Sequence, residues 1–311
     1  MTTQSYAFTR GLNYPSIVAT SEKVAWTVDK VFAGRRFDAT KPIVPESWVG
    51  VQHLAFLDEP AQRMLNHLRA FSYVHLFGNY EEFIPIHLMT LAQQNWHADR
   101  DQLRALVRFG EEEMKHQQLF LRTEAVLEES CGYSMGRYFG PDKARVTTFT
   151  NALLSYPPLS RSLTLLALEW GSQRHYVDSV RDHTEDRSDP LYVEVLKYHW
   201  IEENQHVKTG VLEIEQLARE MSPEDISHAF DDIQAIGGLV DATFVGQVEQ
   251  EITTLQQVRG SALPQAEQTA LRDALHHSLT AIWVDVAFTH PSFKQVALAL
   301  SPEGAAKLGI V

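Results

Sequence analysis

The chain lacks most of the features that would assign a function quickly. It has one cysteine, Cys131, among 311 residues, so neither an internal disulfide nor a thiolate metal cluster can form. No window approaches the ~18 uninterrupted apolar residues of a membrane span. The polar start, Met1-Thr2-Thr3-Gln4-Ser5-Tyr6, has no apolar signal-peptide core, so a soluble cytoplasmic protein is expected. Lys/Arg-rich runs are missing, and 27 basic residues face 40 acidic ones for a net charge of −13. That balance speaks against nucleic acid and anionic membranes as partners. There is no flavin, nicotinamide or thiolate-cluster motif. No strand-like alternation persists and no tandem repeat is evident, so the expected class is all-α.

What the chain does have is helical seams interrupted by acids and histidines. One stretch organises the rest: Tyr198-His199-Trp200-Ile201-Glu202-Glu203-Asn204-Gln205-His206. As helix, His199, Glu203 and His206 stack on one face, where an ordinary helix would place leucines. Buried unpaired charge costs several kcal/mol (order of magnitude), so this face needs a compensating partner. A metal ion is the fitting one, because imidazole and carboxylate are its usual nitrogen and oxygen ligands.

The preceding chain repeats the theme. A helix from Pro60 to about Gln94 carries the seam Ala70, Val74, Phe77, Glu81, Ile84, Leu88, Leu91. Pro85 cannot donate to the carbonyl of Glu81, so a kink is expected there. Glu82, one step around, competes with Glu81 for the inward role. Asp99 caps the next helix, with Gln102 completing a capping box. Its seam of Leu106, Phe109, Glu113, His116, Phe120 and Leu127 contains an E-x-x-H pair and ends near Cys131-Gly132. A connection with Gly136, Gly140 and Pro141 leads to a short helix around Lys143–Leu154. Pro157-Pro158 opens a helix in which Glu169 is the only ionisable residue between Arg161 and Arg174. Ser188-Asp189-Pro190 launches the helix of the organising stretch, which fades near Glu220. Ser222-Pro223 and Pro264 start two further helices, the second reaching about Thr289.

The expected organisation is one all-α domain over 1–311: a packing segment (1–57) with a short helix at Ser21–Phe32, a four-helix metal-binding bundle (58–220) and C-terminal helices (221–311). A glutamate from each of two helices plus Glu-x-x-His from the other two is the inward ligand set of di-iron and di-manganese carboxylate bundles. Glu81 or Glu82, Glu113 with His116, Glu169, and Glu203 with His206 follow that order. Glu111, Glu112, Glu202 and Lys115 read as solvated neighbours, and Trp170, Tyr198 and Trp200 as packing aromatics.

His199 goes beyond the plain set. His-x-x-x-Glu-x-x-His on the last ligand helix resembles the arylamine N-oxygenases of the p-aminobenzoate N-oxygenase family, within the ferritin-like bundles. The resemblance covers about Pro60 to Glu220. It implies two iron ions, with Glu113 and His116 serving one and Glu203, His206 and His199 the other. Glu169 and the first-helix glutamate would complete or bridge the site. It further implies activation of dioxygen to oxidise a small organic substrate, such as an aromatic amine, with electrons from an external reductase or ferredoxin. One departure is plain: no arginine or lysine lies between Val74 and Ile84 to clamp a substrate carboxylate. Manganese in place of iron, and a homodimer, are both compatible with the sequence. The rival readings are a ferritin-like oxidase or iron-handling protein and a metal-free helical scaffold.

Overall fold

The computed structural model describes residues 6–97, 99–132, 143–181 and 188–311, and every regular element among them is helical. The principal helices are α1 (Tyr14–Val24), α2 (Val28–Phe32), α3 (Glu59–Glu81), α4 (Phe83–Asn95) and α5 (Arg100–Cys131). They are followed by α6 (Lys143–Leu154), α7 (Pro158–Tyr176), α8 (Pro190–Arg219), α9 (Pro223–Arg259), α10 (Gln265–Thr280), α11 (Pro291–Leu300) and α12 (Pro302–Lys307). The connection carrying Gly136, Gly140 and Pro141 lies outside the described residues.

Local chemistry sets the boundaries. Asp58, Asp99, Asp189 and Ser222 each accept a backbone N–H of the helix they cap. Proline occupies the first turn of α3, α7, α8 and α9, where its missing N–H leaves no bond unmade. Gly132 ends α5 at φ 75°, a left-handed conformation that glycine adopts without steric cost. The long first helix divides at Glu82 into α3 and α4, three residues before Pro85, because the Glu81 carbonyl has no donor there. The expected helix over Ser21–Phe32 also divides: α1 ends at Val24, and Ala25 turns extended before α2 begins.

The tertiary arrangement is two antiparallel pairs laid together. The α3–α4 rod packs on α5, α7 packs along α8, and α5 meets α8 across the middle. α1 and α2 bridge α5 and α8 on one side, while α9 rests on α3 and α7. A core rich in Phe77, Phe120, Tyr192, Leu196, Phe244 and Trp283 fills one end. A second, with Leu163, Leu166, Val211, Ile214 and Phe230, joins α7 and α8 to α9 and α11. No helix among the described residues is long and apolar enough to cross a membrane.

At one end of the α5–α8 seam lies a buried acid that no cation among the described residues neutralises. Glu213 accepts from the Tyr14 hydroxyl at 2.8 Å and from Gln102 Nε2 at 2.9 and 3.0 Å. Burial pushes its pKa up to about 7. An acid raised in the folded chain binds its proton more readily there than when unfolded. Its stabilising contribution is therefore full below the unfolded pKa of about 4.5 and is lost as pH climbs through about 7. The difference is about 3 kcal/mol by pH 8. Glu213→Gln should therefore flatten the fall in melting temperature between pH 5 and 7 by several degrees relative to wild type. Equal slopes in the two proteins would contradict this assignment.

Candidate metal centre

Glu81, Glu113, His116, Glu169, His199, Glu203 and His206 are all at most 3% exposed. They come from the last turn of α3, the middle of α5, the middle of α7 and the middle of α8. The four seams thus converge on one point of the interior, as their register requires.

Glu203 is the hub. Its Oε1 lies 3.4 Å from His116 Nδ1, 3.3 Å from His199 Nε2 and 3.2 Å from His206 Nδ1. His206 Nδ1 is also 2.9 Å from Glu113 Oε1 and 3.5 Å from Glu169 Oε2. His199 Nε2 stands 3.2 Å from Glu81 Oε1. Two sets of ligand-type atoms gather within 4.8 Å of one another: Glu113, His116, Glu203 and His206, and then Glu81, His116 and His199. His199 therefore sits with Glu81 and His116, and its ring is 4.5 Å from that of His116. The division expected from the family resemblance, with His199 beside His206, differs from this because Glu203 Oε1 reaches between the two.

Apart from the hydrogen bond between His199 Nε2 and Glu81 Oε1, short distances do not make these contacts hydrogen bonds. Glu81 Oε2, both oxygens of Glu113, His116 Nδ1, Glu169 Oε2, Glu203 Oε1 and His206 Nδ1 have no hydrogen-bond partner despite burial. Native interiors pair nearly all such atoms. Here seven orphans converge on common centres. A donor set of neutral imidazoles and carboxylates fits iron or manganese, and a pair of divalent ions neutralises its charge.

Electrostatics agree with that fit. Burial, together with the charges of Glu113 and Glu203, raises Glu81 well above the ordinary carboxylate range. Burial and Glu203 do the same for Glu169. Against the same desolvation, His199, Glu169 and His206 hold Glu203 well below that range. Burial drives His199 down to about 3, whereas His116, between the carboxylates of Glu113 and Glu202, is raised to about 9 in spite of burial. Protein groups alone thus force the cluster to alternate protonated and ionised members, and divalent cations would remove that frustration.

The outward nitrogens are held by acids that the sequence reading placed in solvent. His116 Nε2 is 3.1 Å from Glu202 Oε2, and His206 Nε2 is 3.2 Å from Glu112 Oε2. Both acids are at most 2% exposed. The pairing is reciprocal: the acid on α5 serves the histidine on α8, and the acid on α8 serves the histidine on α5. Carboxylates in this position orient an imidazole and raise its basicity as a ligand. Glu112 is itself bonded by Ser21 and by Arg108 at 3.1 Å, and its pKa falls to about 2 despite burial. Glu202 pairs with Lys115, whose ammonium also lies 4.4 Å over Trp26. Lys115 is thus not merely a surface residue. Ser21 and Trp26 also give the N-terminal segment a part in the site that its sequence does not suggest. The readable signal was the doubled motif, E-E-x-x-H at 112–116 and again at 202–206.

Other expected residues fall away from the cluster. Glu82 is exposed beyond the end of α3, so Glu81 alone is brought to the centre. One step of 100° around the helix separates inside from outside at that point. His75 bonds Glu124 and His87 bonds Ser162, both as packing residues. Ser172, which sequence did not single out, donates to Glu203 Oε2 at 2.9 Å and fixes the hub's second oxygen. Phe109 stacks 3.9 Å from the His206 ring, and Phe77 and Phe120 flank His199 at 5.1 and 5.2 Å, closing the centre to water.

The reciprocal acids make a specific prediction. Glu112→Gln and Glu202→Gln should each weaken ferrous or cobaltous binding about 10- to 100-fold in chelator competition, while Glu82→Gln leaves it unchanged. Unaltered binding in both of the first two variants, or a comparable loss in the third, would overturn the assignment.

No protein-family model matches the chain, and no curated protein or solved structure matches it, so the reading of the centre rests on its own geometry.

Proposed function

We propose that the protein is a non-haem di-iron oxygenase, built on a ferritin-like bundle, that oxidises a small uncharged organic substrate with dioxygen. The observation that carries this reading is the convergence of orphaned imidazole and carboxylate atoms from four helices on a dry, aromatic-walled centre. When bound there, a pair of iron ions supplies the redox chemistry that activates dioxygen. Manganese satisfies the same donors. Electrons come from an external donor, a reductase or ferredoxin, because the chain carries no redox cofactor motif of its own.

The residues divide the remaining work. Glu81, Glu113, Glu169, Glu203, His116, His199 and His206 would hold the ions. Glu112 and Glu202 keep the imidazoles of His206 and His116 turned inward. Phe77, Phe109 and Phe120 exclude water, which strengthens every electrostatic contact inside.

An apolar chamber of about 80 Å³ is lined in part from α3, α4 and α7, of which α3 carries Glu81 and α7 carries Glu169. Tyr80 and Phe83, which bracket Glu81, line it together with Leu168, the neighbour of Glu169. Phe149, Ile236 and Trp283 complete the wall, and no charged side chain faces it. Part-exposed Gly237 and Val240 lie at its outer edge. The chamber suits an uncharged, largely apolar molecule and offers a carboxylate no counter-ion. It also disfavours the iron-handling alternative, since a route for ferrous ions needs acidic or polar lining. The metal-free scaffold is disfavoured by the orphaned atoms, which a scaffold would pair. The larger depression, about 990 Å³, is lined by Arg35, Arg36, Lys41 and Arg63 and contains no member of the centre. It is set aside because its share of α3 and α8 comes from their N-terminal turns, well before Glu81 and His199 along those helices.

The test is oxygen consumption by iron-reconstituted protein with a reductant. Uptake should rise with uncharged aromatic compounds and not with their carboxylated counterparts. Ala167→Phe, which fills the chamber, should lower that stimulation at least tenfold while iron content stays at about two per chain. Loading of many ferric ions per chain, with no compound stimulating uptake, would replace this reading with iron handling.

A further inference from the structure

Beside the metal centre, α3 and α7 hold a second buried polar pair that the reading above leaves without a role. The Tyr73 hydroxyl is hydrogen-bonded to His175 Nδ1, and both side chains are at most 2% exposed. The other edge of the imidazole fixes the direction of that bond. His175 Nε2 lies 2.6 Å from the Ile282 carbonyl, which only accepts, so Nε2 carries the hydrogen. Nδ1 therefore offers a lone pair, and the tyrosine donates. Ile282 sits in a π-helical turn, Ala281–Asp285, an element frequent at functional sites. Burial lowers His175 to about 4, which keeps the ring neutral and its acceptor nitrogen open at neutral pH. Burial likewise raises Tyr73 well above the ordinary phenol range.

Ring contacts join this pair to a ligand of the centre. Tyr73 meets Phe77 at 4.9 Å between ring centres, and Phe77 meets His199 at 5.1 Å. Two other oxidisable rings stand nearby without a base. Tyr192 donates to the Ala70 carbonyl at 2.9 Å, and a carbonyl does not hold a proton at neutral pH. Trp283, 4.5 Å from Phe77, has no acceptor on its buried indole nitrogen. We propose that Tyr73 is a redox-active residue, with His175 as the acceptor of its proton, that gives one electron to the iron pair when dioxygen has oxidised the centre and no substrate is present. This rests on the di-iron reading. Tyr73 loses one electron and its hydroxyl proton. The electron reduces the iron pair by one equivalent, and the proton moves along the hydrogen bond to Nδ1, so an O–H bond breaks and an N–H bond forms. An oxidised phenol is a far stronger acid than imidazolium, so the transfer runs downhill even to a histidine whose basicity burial has weakened. Without that acceptor, oxidation would leave an unpaired phenol cation in an apolar cage. The external electron donor that serves the centre restores the electron, and the proton returns to the phenol oxygen. Oxidising equivalents thus leave through a residue that recovers, and His199 is spared.

The test uses the full chain, loaded with iron and reduced, then mixed with oxygen without any organic compound and frozen at intervals. Electron paramagnetic resonance should show a tyrosine radical, identified by the narrowing that β-deuterated tyrosine produces. Tyr73→Phe should lower its yield about tenfold or more, with iron content unchanged. His175→Gln separates a proton acceptor from a structural partner. The glutamine carbonyl keeps the hydrogen bond but takes no proton, so the signal should fall as far as in Tyr73→Phe; a merely structural bond would leave it intact. Iron content and oxygen uptake, measured on the same samples, keep the di-iron reading apart from this one. With about two ions per chain and oxygen consumed, the absence of a tyrosine radical, a radical that survives Tyr73→Phe, or one undiminished in His175→Gln would each overturn the proposal alone. A chain that binds no iron would overturn both. Should His175→Gln fail to fold, Tyr73→Phe, which removes a single hydroxyl, decides.

Discussion

The constraint on which the rest of the structure depends is the burial of nine ionisable side chains around one point. Glu81, Glu112, Glu113, Glu169, Glu202, Glu203, His116, His199 and His206 are all withdrawn from water. Placing charge in a low-dielectric interior costs several kcal/mol per group unless it is compensated. Part of the compensation is internal: Glu112 and Glu202 face His206 and His116, and Arg108 and Lys115 balance them from outside. Seven inner atoms, on Glu81, Glu113, His116, Glu169, Glu203 and His206, are left without such partners. That asymmetry, with the outer nitrogens satisfied and the inner ones orphaned, is what separates a ligand cage from a network of ion pairs.

The architecture follows from holding that cage. Two antiparallel helix pairs bring four seams to one depth, and the reciprocal acid–histidine bonds tie α5 to α8 at both ends of the hub. α1 and its link to α2 cross this junction and contribute Ser21 and Trp26, so a segment remote from the ligands in sequence stiffens their surroundings. The division between α3 and α4 has a similar logic. Pro85 frees the Glu81 carbonyl, and the chain bends where Tyr80 and Phe83 must leave the centre to line the chamber.

Much of this was legible in the sequence. Period and caps placed the long helices to within a residue or two, because Asp99, Ser222, Gly132 and the helix-opening prolines act locally. The seven inner residues were readable because each interrupts an apolar seam. The choice of Glu81 over Glu82 was not decided by pattern, since the two differ by one step around a helix that ends there. Glu112 and Glu202 were misread for a related reason. They sit 100° from their seams, and only the close approach of α5 to α8, and of α1 to α5, makes that flank interior. The part played by Ser21 and Trp26 could not be read at all, because it arises from contacts between segments far apart in the chain. The assignment of His199 to the side of Glu81 likewise depends on side-chain reach, which spacing along one helix does not encode.

The most direct measurement of the central claim is anomalous diffraction from crystals grown with ferrous or manganous ions, recorded on either side of the metal absorption edge. The account predicts two peaks inside the bundle. One falls among Glu113, His116, Glu203 and His206, and the other on the side of Glu81 and His199, with Glu203 between them. Peaks confined to the surface, or none at the centre while all seven side chains pair among themselves, would contradict it.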